Sequence, residues 1–261
     1  MGTGAFSDVW QLDFSQTQGD ILYRREDEKL GFVVTKERSG TRLIAFGDSE
    51  AGVAELRARQ SEGLRPERSL ISSEIHGALD SDLRGWFGPN WGFRWEQYYS
   101  FEPLPEVQGM NEVRFVSREA VPQGDLAAQI ERVLEVSNPI TDARTHVQDF
   151  DWYLLFGPDG TLASVMAAQS HDGVSAFHAL GTDPAYRGLG LGSAVMVGAV
   201  NHALQTHRAI RFGMWSWNSG AARLYERLGL THGGSFIIGR QEPFPDLQSQ
   251  ATRGDHPQQR P

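Results

Sequence analysis

The stretch GTDPAYRGLGLGSAV, residues 181–195, decides the fold of this protein. A run typical of a strand comes before it, and Pro184 ends that strand. Three glycines, Gly188, Gly190 and Gly192, then form a turn, and apolar residues follow at helical spacing. The sequence therefore predicts a strand, a glycine-rich turn and an amphipathic helix in direct succession. A helix that begins in this way exposes unpaired backbone N–H groups, which can bind phosphate without a lysine.

Two familiar phosphate loops do not fit this stretch. A dinucleotide-binding fingerprint needs a third glycine where this chain has Ser193, and a P-loop needs a lysine that is absent here. The pattern that fits is R-x-x-G-x-G, formed by Arg187, Gly190 and Gly192. It resembles motif A of the GNAT acyltransferase superfamily, in which the loop holds the pyrophosphate of coenzyme A.

A second motif lies further along the chain. The stretch WSWNSGAARLYERLGL, residues 215–230, resembles the next GNAT motif, with Asn218 seven residues before Tyr225. The order of predicted elements also resembles that of the superfamily. These elements are a strand near residues 112–119, a helix over 125–137, strands over 152–157, 161–168 and 174–182, a helix from 188 to about 206, and then a strand, a helix and a last strand up to 239.

This resemblance covers about half of the chain and implies an α+β GNAT fold, a mixed, mostly antiparallel central sheet flanked by helices. We expect the GNAT acyltransferase domain over residues 111–240. The run EPLPEVQGM, residues 102–110, contains prolines and a glycine and is predicted to be a linker. The polar, Pro-rich residues 241–261 are expected to be a disordered tail.

Residues 1–108 are expected to form a smaller α/β domain. Strands are predicted over 30–35 and 41–47, followed by a helix over 50–60. Because no R-x-x-G-x-G pattern occurs before Met110, the domain fits a degenerate, GNAT-like copy that does not bind the cofactor. Its aromatic-dense segment, residues 86–101, is expected to be core or an interdomain face.

The resemblance implies a role for individual residues in cofactor binding. Backbone groups of the strand end would pair with the pantetheine arm, the turn would cradle the pyrophosphate, and the asparagine would bond near the pantetheine. The residues so implied are Leu180, Gly181, Thr182, Arg187, Gly188, Leu189, Gly190, Leu191, Gly192, Ser193 and Asn218.

The resemblance also implies a general acid and suggests a base. Tyr225 would protonate the departing thiolate, since a phenol can donate a proton to it. His178 stands nine residues before Arg187, as in arylalkylamine acyltransferases, and could accept the amine proton. The two-residue period of a strand puts His178, Leu180 and Thr182 on one face. A packing role for His178 stays open.

Composition limits the function classes. Asp and Glu number 33 against 24 Lys and Arg, for a formal net charge of −9, so nucleic acid is not expected as a partner. There is no cysteine and no metal-ligand spacing of histidines and carboxylates, so no metal is expected. Apolar runs fall far short of the roughly 20 residues that span a membrane. With no secretory signal visible, we expect a cytoplasmic protein.

These observations favour an acetyl-CoA-dependent N-acyltransferase. Acetyl-CoA would be the co-substrate, and a primary amine of a small molecule or peptide would attack it directly. A non-catalytic acyl-CoA-binding or sensing module is the alternative, and a nucleotide-binding interaction protein is a more distant one. The acceptor stays open. So does the role of the N-terminal half, for which a cover over the acceptor site and a homodimer face are both compatible with the sequence.

Overall fold

The computed structural model describes residues 20–37, 40–121 and 124–243. Most of the predicted tail therefore lies outside the described residues. The strands are β1 (Asp20–Glu26), β2 (Leu30–Glu37), β3 (Gly40–Gly47), β4 (Arg68–Ser72), β5 (Asn90–Ser100), β6 (Arg114–Val116), β7 (Asp151–Phe156), β8 (Leu162–His171), β9 (Val174–Thr182), β10 (Ala209–Trp215) and β11 (Thr231–Arg240). The helices are α1 (Ser49–Ser61), α2 (Ser73–Ala78), α3 (Ser81–Trp86), α4 (Asp125–Ser137), α5 (Leu191–Ala203) and α6 (Ser219–Leu228).

The described chain divides into two compact units. The first takes in the described residues from 20 to 97, 214 to 219 and 232 to 243, and the second those from 98 to 213 and 220 to 231. The boundaries predicted from the sequence, 1–108 and 111–240, stay a prediction. The two units do not coincide with the predicted domains, because nearly all of β11, which the sequence placed in the second domain, belongs to the first unit.

The first unit is a sheet with helices packed against it. Strands β1, β2 and β3 pair antiparallel, β3 and β4 pair parallel, and β4 and β11 pair antiparallel. Strand β2 is buried over six successive residues, as expected of a strand covered on both faces. Each large apolar side chain removed from water contributes roughly 1.5–3 kcal/mol. The main core of this unit includes Phe32, Leu43, Leu56, Ile71, Ile75, Leu83 and Phe87.

The second unit has the sheet order β10-β9-β8-β7-β6. Strands β6 to β9 are antiparallel, and β9 and β10 are parallel. Helix α4 packs on β8 and β9 around the buried Trp152 of β7. The next residue of β7, Tyr153, lies against His202 of α5. Because successive strand residues point to opposite faces, the two helices cover opposite faces of this sheet.

The two units repeat one connection. In the first, the antiparallel pair β2–β3 leads through α1 to β4, which lies parallel to β3. In the second, the antiparallel pair β8–β9 leads through α5 to β10, which lies parallel to β9. The predicted α+β class, with a mixed sheet flanked by helices, is thus confirmed.

The run predicted as a linker is held in place in the second unit. The backbone N–H of Leu104 donates to Asn201 of α5 at 2.7 Å, and the Asn201 side chain donates to the Leu104 carbonyl at 3.0 Å. Leu104 itself is buried. At the start of the predicted tail, Gln241 is also bonded, to the carbonyls of Pro66 and Trp86. Both segments have fixed partners that composition alone does not reveal.

Candidate functional site

The glycine turn of the second unit opens directly onto α5. Gly188 and Gly190 have φ angles of +81° and +79°, which glycine adopts without strain. A Cβ atom added at either position would meet nothing within 4 Å, so the space beside the backbone is open. No side chain caps the start of α5. Its first N–H groups therefore remain available to an anionic ligand.

Side chains from neighbouring segments fix the approach to this turn. Asp183 accepts a hydrogen bond from the N–H of Ala185 at 2.9 Å and one from Arg132 of α4 at 3.0 Å. The hydroxyl of Tyr186 donates to Asp159, in the β7–β8 hairpin, at 2.6 Å. That bond lowers the pKa of Asp159 and raises the pKa of Tyr186. The turn is therefore tied to α4 and to the hairpin before any ligand binds.

Positive charge at the turn comes from Arg187. The residue is exposed, and it forms no ion pair within the described part of the chain. Close behind, Gly192 lies against β9, since a Cβ there would be 3.1 Å from the Oγ1 of Thr182. The Oγ of Ser164 lies 2.8 Å from the same Thr182 oxygen. The start of α5 and the end of β9 thus lie together, and Arg187 directly precedes the turn in the sequence.

Strand β9 contains a bulge that overturns one expectation. Across the β8–β9 ladder, Ala167 stands opposite His178, but Val165 stands opposite Gly181, so β9 holds an extra residue. Ala179, inside the bulge, has a φ of +51°. The prediction that His178, Leu180 and Thr182 share one face is therefore wrong.

The packing on either side of β9 agrees with that register. A Cβ at Gly181 would lie 2.3 Å from Ser137 of α4, and His178 has its ring 5.4 Å from Phe150 in the α4-side core. Thr182 instead lies against Gly192 of α5. The bulge turns His178 and Thr182 to opposite faces, because strict alternation ends where the extra residue enters.

The pairing of β9 with β10 covers only the start of both strands. Val174, Ser175 and Ala176 pair with Ala209, Ile210 and Arg211. The other end of β9 leads to the glycine turn. There the Leu180 carbonyl accepts a hydrogen bond from the Asn138 side chain at 3.4 Å, and the Gly181 carbonyl accepts one from the Ser164 hydroxyl at 3.0 Å.

Tyr225, the predicted general acid, is buried in an aromatic cluster of the second unit. Its ring makes edge contacts with Phe212, with centroids 4.6 Å apart, and with Tyr98, at 5.2 Å. Tyr98 in turn stacks on Phe212. Burial, with a smaller effect of Tyr98, raises the pKa of Tyr225 well above its usual value. The phenol therefore keeps its proton throughout the neutral and moderately alkaline range.

The remaining predicted residues are His178 and Asn218. His178 is exposed, next to Phe150. Asn218 falls in the first unit, where its N–H donates to the Trp215 carbonyl at 2.9 Å. Sequence reasoning missed Tyr98 and the residues that anchor the turn. Only the Asp183-Pro184 pair, a common turn and cap signal, pointed toward the latter.

Among the described residues, no group of three or more His, Cys, Asp or Glu side chains could hold a metal ion. None of the described helices has the length and apolar character needed to cross a bilayer.

A mixed sheet whose parallel strand pair frames an uncapped, glycine-rich helix start defines a GNAT-type protein. The sequence profile described as Acetyltransferase (GNAT) family matches residues 82–230, more than half of the chain. The chain belongs to this acetyltransferase family. The match begins within α3 and includes β5, ahead of the residue 111 at which the sequence placed the domain start.

Solved structures share the fold at low sequence identity. An acetyltransferase of the GNAT family from Colwellia psychrerythraea has a TM-score of 0.58 at 10% identity, covering 91% of this chain and 94% of its own. A GCN5-related N-acetyltransferase from Kribbella flavida has a TM-score of 0.54 at 17% identity, covering 93% and 97%. A GCN5-related N-acetyltransferase from Sphaerobacter thermophilus has a TM-score of 0.54 at 13% identity, and the match covers 81% of this chain and 76% of that protein. No curated protein matches the chain.

Proposed function

We propose that the protein transfers an acetyl group from acetyl-CoA to a primary amine of an acceptor. The observation that carries the proposal is the glycine turn at the end of β9, with its open space and uncapped helix start. Membership of the acetyltransferase family supports the same reaction class.

The turn is the proposed pyrophosphate site. The backbone of residues 188–193 would donate to the phosphate oxygens, and Arg187 would add positive charge. Backbone groups of Leu180, Gly181 and Thr182, at the end of β9, would pair with the amides of the pantetheine arm. The fit is supported by the absence of a side chain at Gly188 and Gly190, where a Cβ would reduce the room left for the ligand.

The reaction we propose needs no covalent enzyme intermediate. The amine nitrogen attacks the thioester carbonyl, the new C–N bond forms, and the C–S bond breaks. The Tyr225 hydroxyl donates a proton to the departing thiolate, while His178, directly or through water, accepts the proton that the amine loses. A backbone N–H near Leu180 would polarise the carbonyl. Much of the rate would come from holding the two substrates together.

A thiol-release screen tests this function. Full-length protein is mixed with acetyl-CoA and a panel of polyamines, aminoglycosides, amino acids and peptides, and free thiol and acetylated amine are quantified together. The proposal expects equal amounts of both products with at least one class of amine. Tight acetyl-CoA binding without turnover on any amine would instead identify a non-catalytic acyl-CoA-binding module.

The base role of His178 gives a prediction of its own. We expect kcat/KM to fall at low pH, because a protonated imidazole accepts no proton. His178→Gln should remove that limb and lower the rate. His171→Gln, at another exposed histidine of the same sheet, is the matched control. If His178→Gln keeps both the rate and the limb, the side chain only packs against Phe150.

A further inference from the structure

A side chain of the β7–β8 hairpin contacts the segment that leads into the glycine turn. Asp159, between β7 and β8, accepts the hydroxyl hydrogen of Tyr186 at 2.6 Å. The other oxygen of Asp159 accepts the backbone N–H of Thr161 at 3.0 Å, which holds the carboxylate against its own hairpin. The hairpin is closed by a hydrogen bond from the Gly157 N–H to the Thr161 carbonyl at 2.8 Å. The acceptor that Tyr186 meets is therefore fixed by local structure.

The ring of Tyr186 also packs against this hairpin. A Cβ atom at Gly157 would lie 2.5 Å from Cε1 of that ring and 3.1 Å from Oδ1 of Asp159. The first distance is well inside the roughly 3.5–4.0 Å at which carbon atoms pack. Gly157 is not among the glycines with positive φ, so its backbone alone would tolerate alanine. The ring and the carboxylate thus leave no room for a side chain at this position.

The chain beyond Tyr186 is open. Residues 187–190 are all exposed, and a Cβ added at Gly188 or Gly190 would meet nothing within 4 Å. On the strand side, the N–H of Tyr186 donates to the Asp183 carbonyl at 2.9 Å. Tyr186 therefore stands where the packed chain passes into the exposed turn. A hydrogen bond that fixes this residue limits the conformations that the turn can adopt before a ligand arrives.

We infer that Tyr186 and Asp159 are positioning residues, which hold the glycine turn in the conformation that receives the pyrophosphate of the cofactor. Neither takes part in the proposed proton transfers. A turn that is ordered before binding loses less conformational freedom when the ligand binds, so the pair strengthens binding without a contact of its own to the ligand. The inference rests on the proposed pyrophosphate site and adds the residues that set its affinity.

Two variants release the turn in different ways. Tyr186→Phe keeps the ring on Gly157 and removes the hydroxyl, whereas Gly157→Ala keeps the hydroxyl and displaces the ring. We expect each to weaken acetyl-CoA about three- to tenfold in isothermal titration calorimetry, since the anchoring hydrogen bond is lost or misplaced. S-acetylpantetheine, which lacks the pyrophosphate, should bind both variants with the parent affinity in an NMR titration. A general loss of stability would weaken both ligands.

Tyr23→Phe is the matched control for these variants. The Tyr23 hydroxyl also bonds a carboxylate, that of Glu55, within the first unit. The control therefore loses the same kind of hydrogen bond in the other unit. We expect it to bind acetyl-CoA with the parent affinity.

Trypsin cleavage after Arg187 reports the state of the turn without any ligand. Gly157→Ala leaves the cleaved sequence unchanged, and we expect the full chain to be cut there at least about threefold faster than the parent, because a looser turn enters the protease more often. The inference is overturned if Gly157→Ala is cut at the parent rate, if either variant keeps the parent affinity for acetyl-CoA, or if both ligands weaken equally. Failure of the proposed function is distinguishable, because the parent chain would then not bind acetyl-CoA, and the cleavage rate would still decide whether the pair holds the turn.

Discussion

Replacing Tyr225 by Phe should lower kcat roughly 10- to 1,000-fold, as the loss of a general acid does, while the affinity for acetyl-CoA changes little. The phenyl ring keeps its contacts with Phe212 and Tyr98, so only the donated proton is lost. Because burial raises the pKa of Tyr225, we also expect no loss of rate from phenol ionisation up to about pH 10 in the parent enzyme. Steady-state kinetics over a pH series measure both effects.

Tyr153→Phe is the matched control for that experiment. Tyr153 is another buried tyrosine of the second unit, and its pKa is likewise raised by burial. Its hydroxyl lies 3.1 Å from Nδ1 of His202, a residue with no role in the proposed reaction. We expect its variant to keep kcat within a few-fold of the parent value. If both variants lose rate equally, or if Tyr225→Phe retains full kcat, Tyr225 is a packing residue and not the acid.

Gly190→Asp should weaken acetyl-CoA binding by at least tenfold, about 1.4 kcal/mol. A carboxylate at this position would enter the open space beside the helix start and repel the pyrophosphate. The backbone adds a second penalty, because a φ of +79° is strained for most side chains. Isothermal titration calorimetry gives the affinity, and a thermal melt reports whether the fold survives.

Gly190→Asn separates the two effects. Asparagine has nearly the size of aspartate and tolerates positive φ better than most residues, but it carries no charge. We expect its affinity to fall less than that of Gly190→Asp. If both variants lose the same affinity for acetyl-CoA, backbone strain or side-chain size causes the loss, and charge does not. If Gly190→Asp folds and binds acetyl-CoA as the parent chain does, the glycine turn is not part of the binding site.

Local sequence patterns were sufficient for the elements that frame the site. The helix over 125–137 and the strand over 174–182 begin and end where the sequence predicts, because helical spacing and punctuating turns mark them clearly. The glycine turn could also be predicted, since positive φ and close approach leave a distinctive residue pattern.

Other features depend on pairing partners that are distant in sequence. The bulge at Ala179 follows from the register between β8 and β9, and nothing in the alternation of β9 alone reveals it. Strands β1, β4 and β5 were missed. β4 is only five residues long and begins inside a polar stretch. The many aromatic residues of β5 indicated a packing cluster rather than a strand.

The sequence alone also did not reveal that the starts of α1 and α5 differ in charge, with acidic residues at the start of α1 and Arg187 before the start of α5. Asp48 reads as an ordinary N-cap, and only the repeated connection shows that it stands where Gly190 stands in the second unit. The same topology thus carries opposite electrostatics at corresponding points.

Hydrogen–deuterium exchange with and without saturating acetyl-CoA tests the central claim most directly. If the glycine turn holds the pyrophosphate, the amides of residues 188–193 must exchange more slowly in the complex, because they donate to the ligand. The corresponding helix start at residues 49–52, capped by Asp48, should be unaffected. Protection over 188–193 alone is the predicted result. Saturable binding that leaves those amides unprotected, or that protects 49–52 instead, would contradict the account.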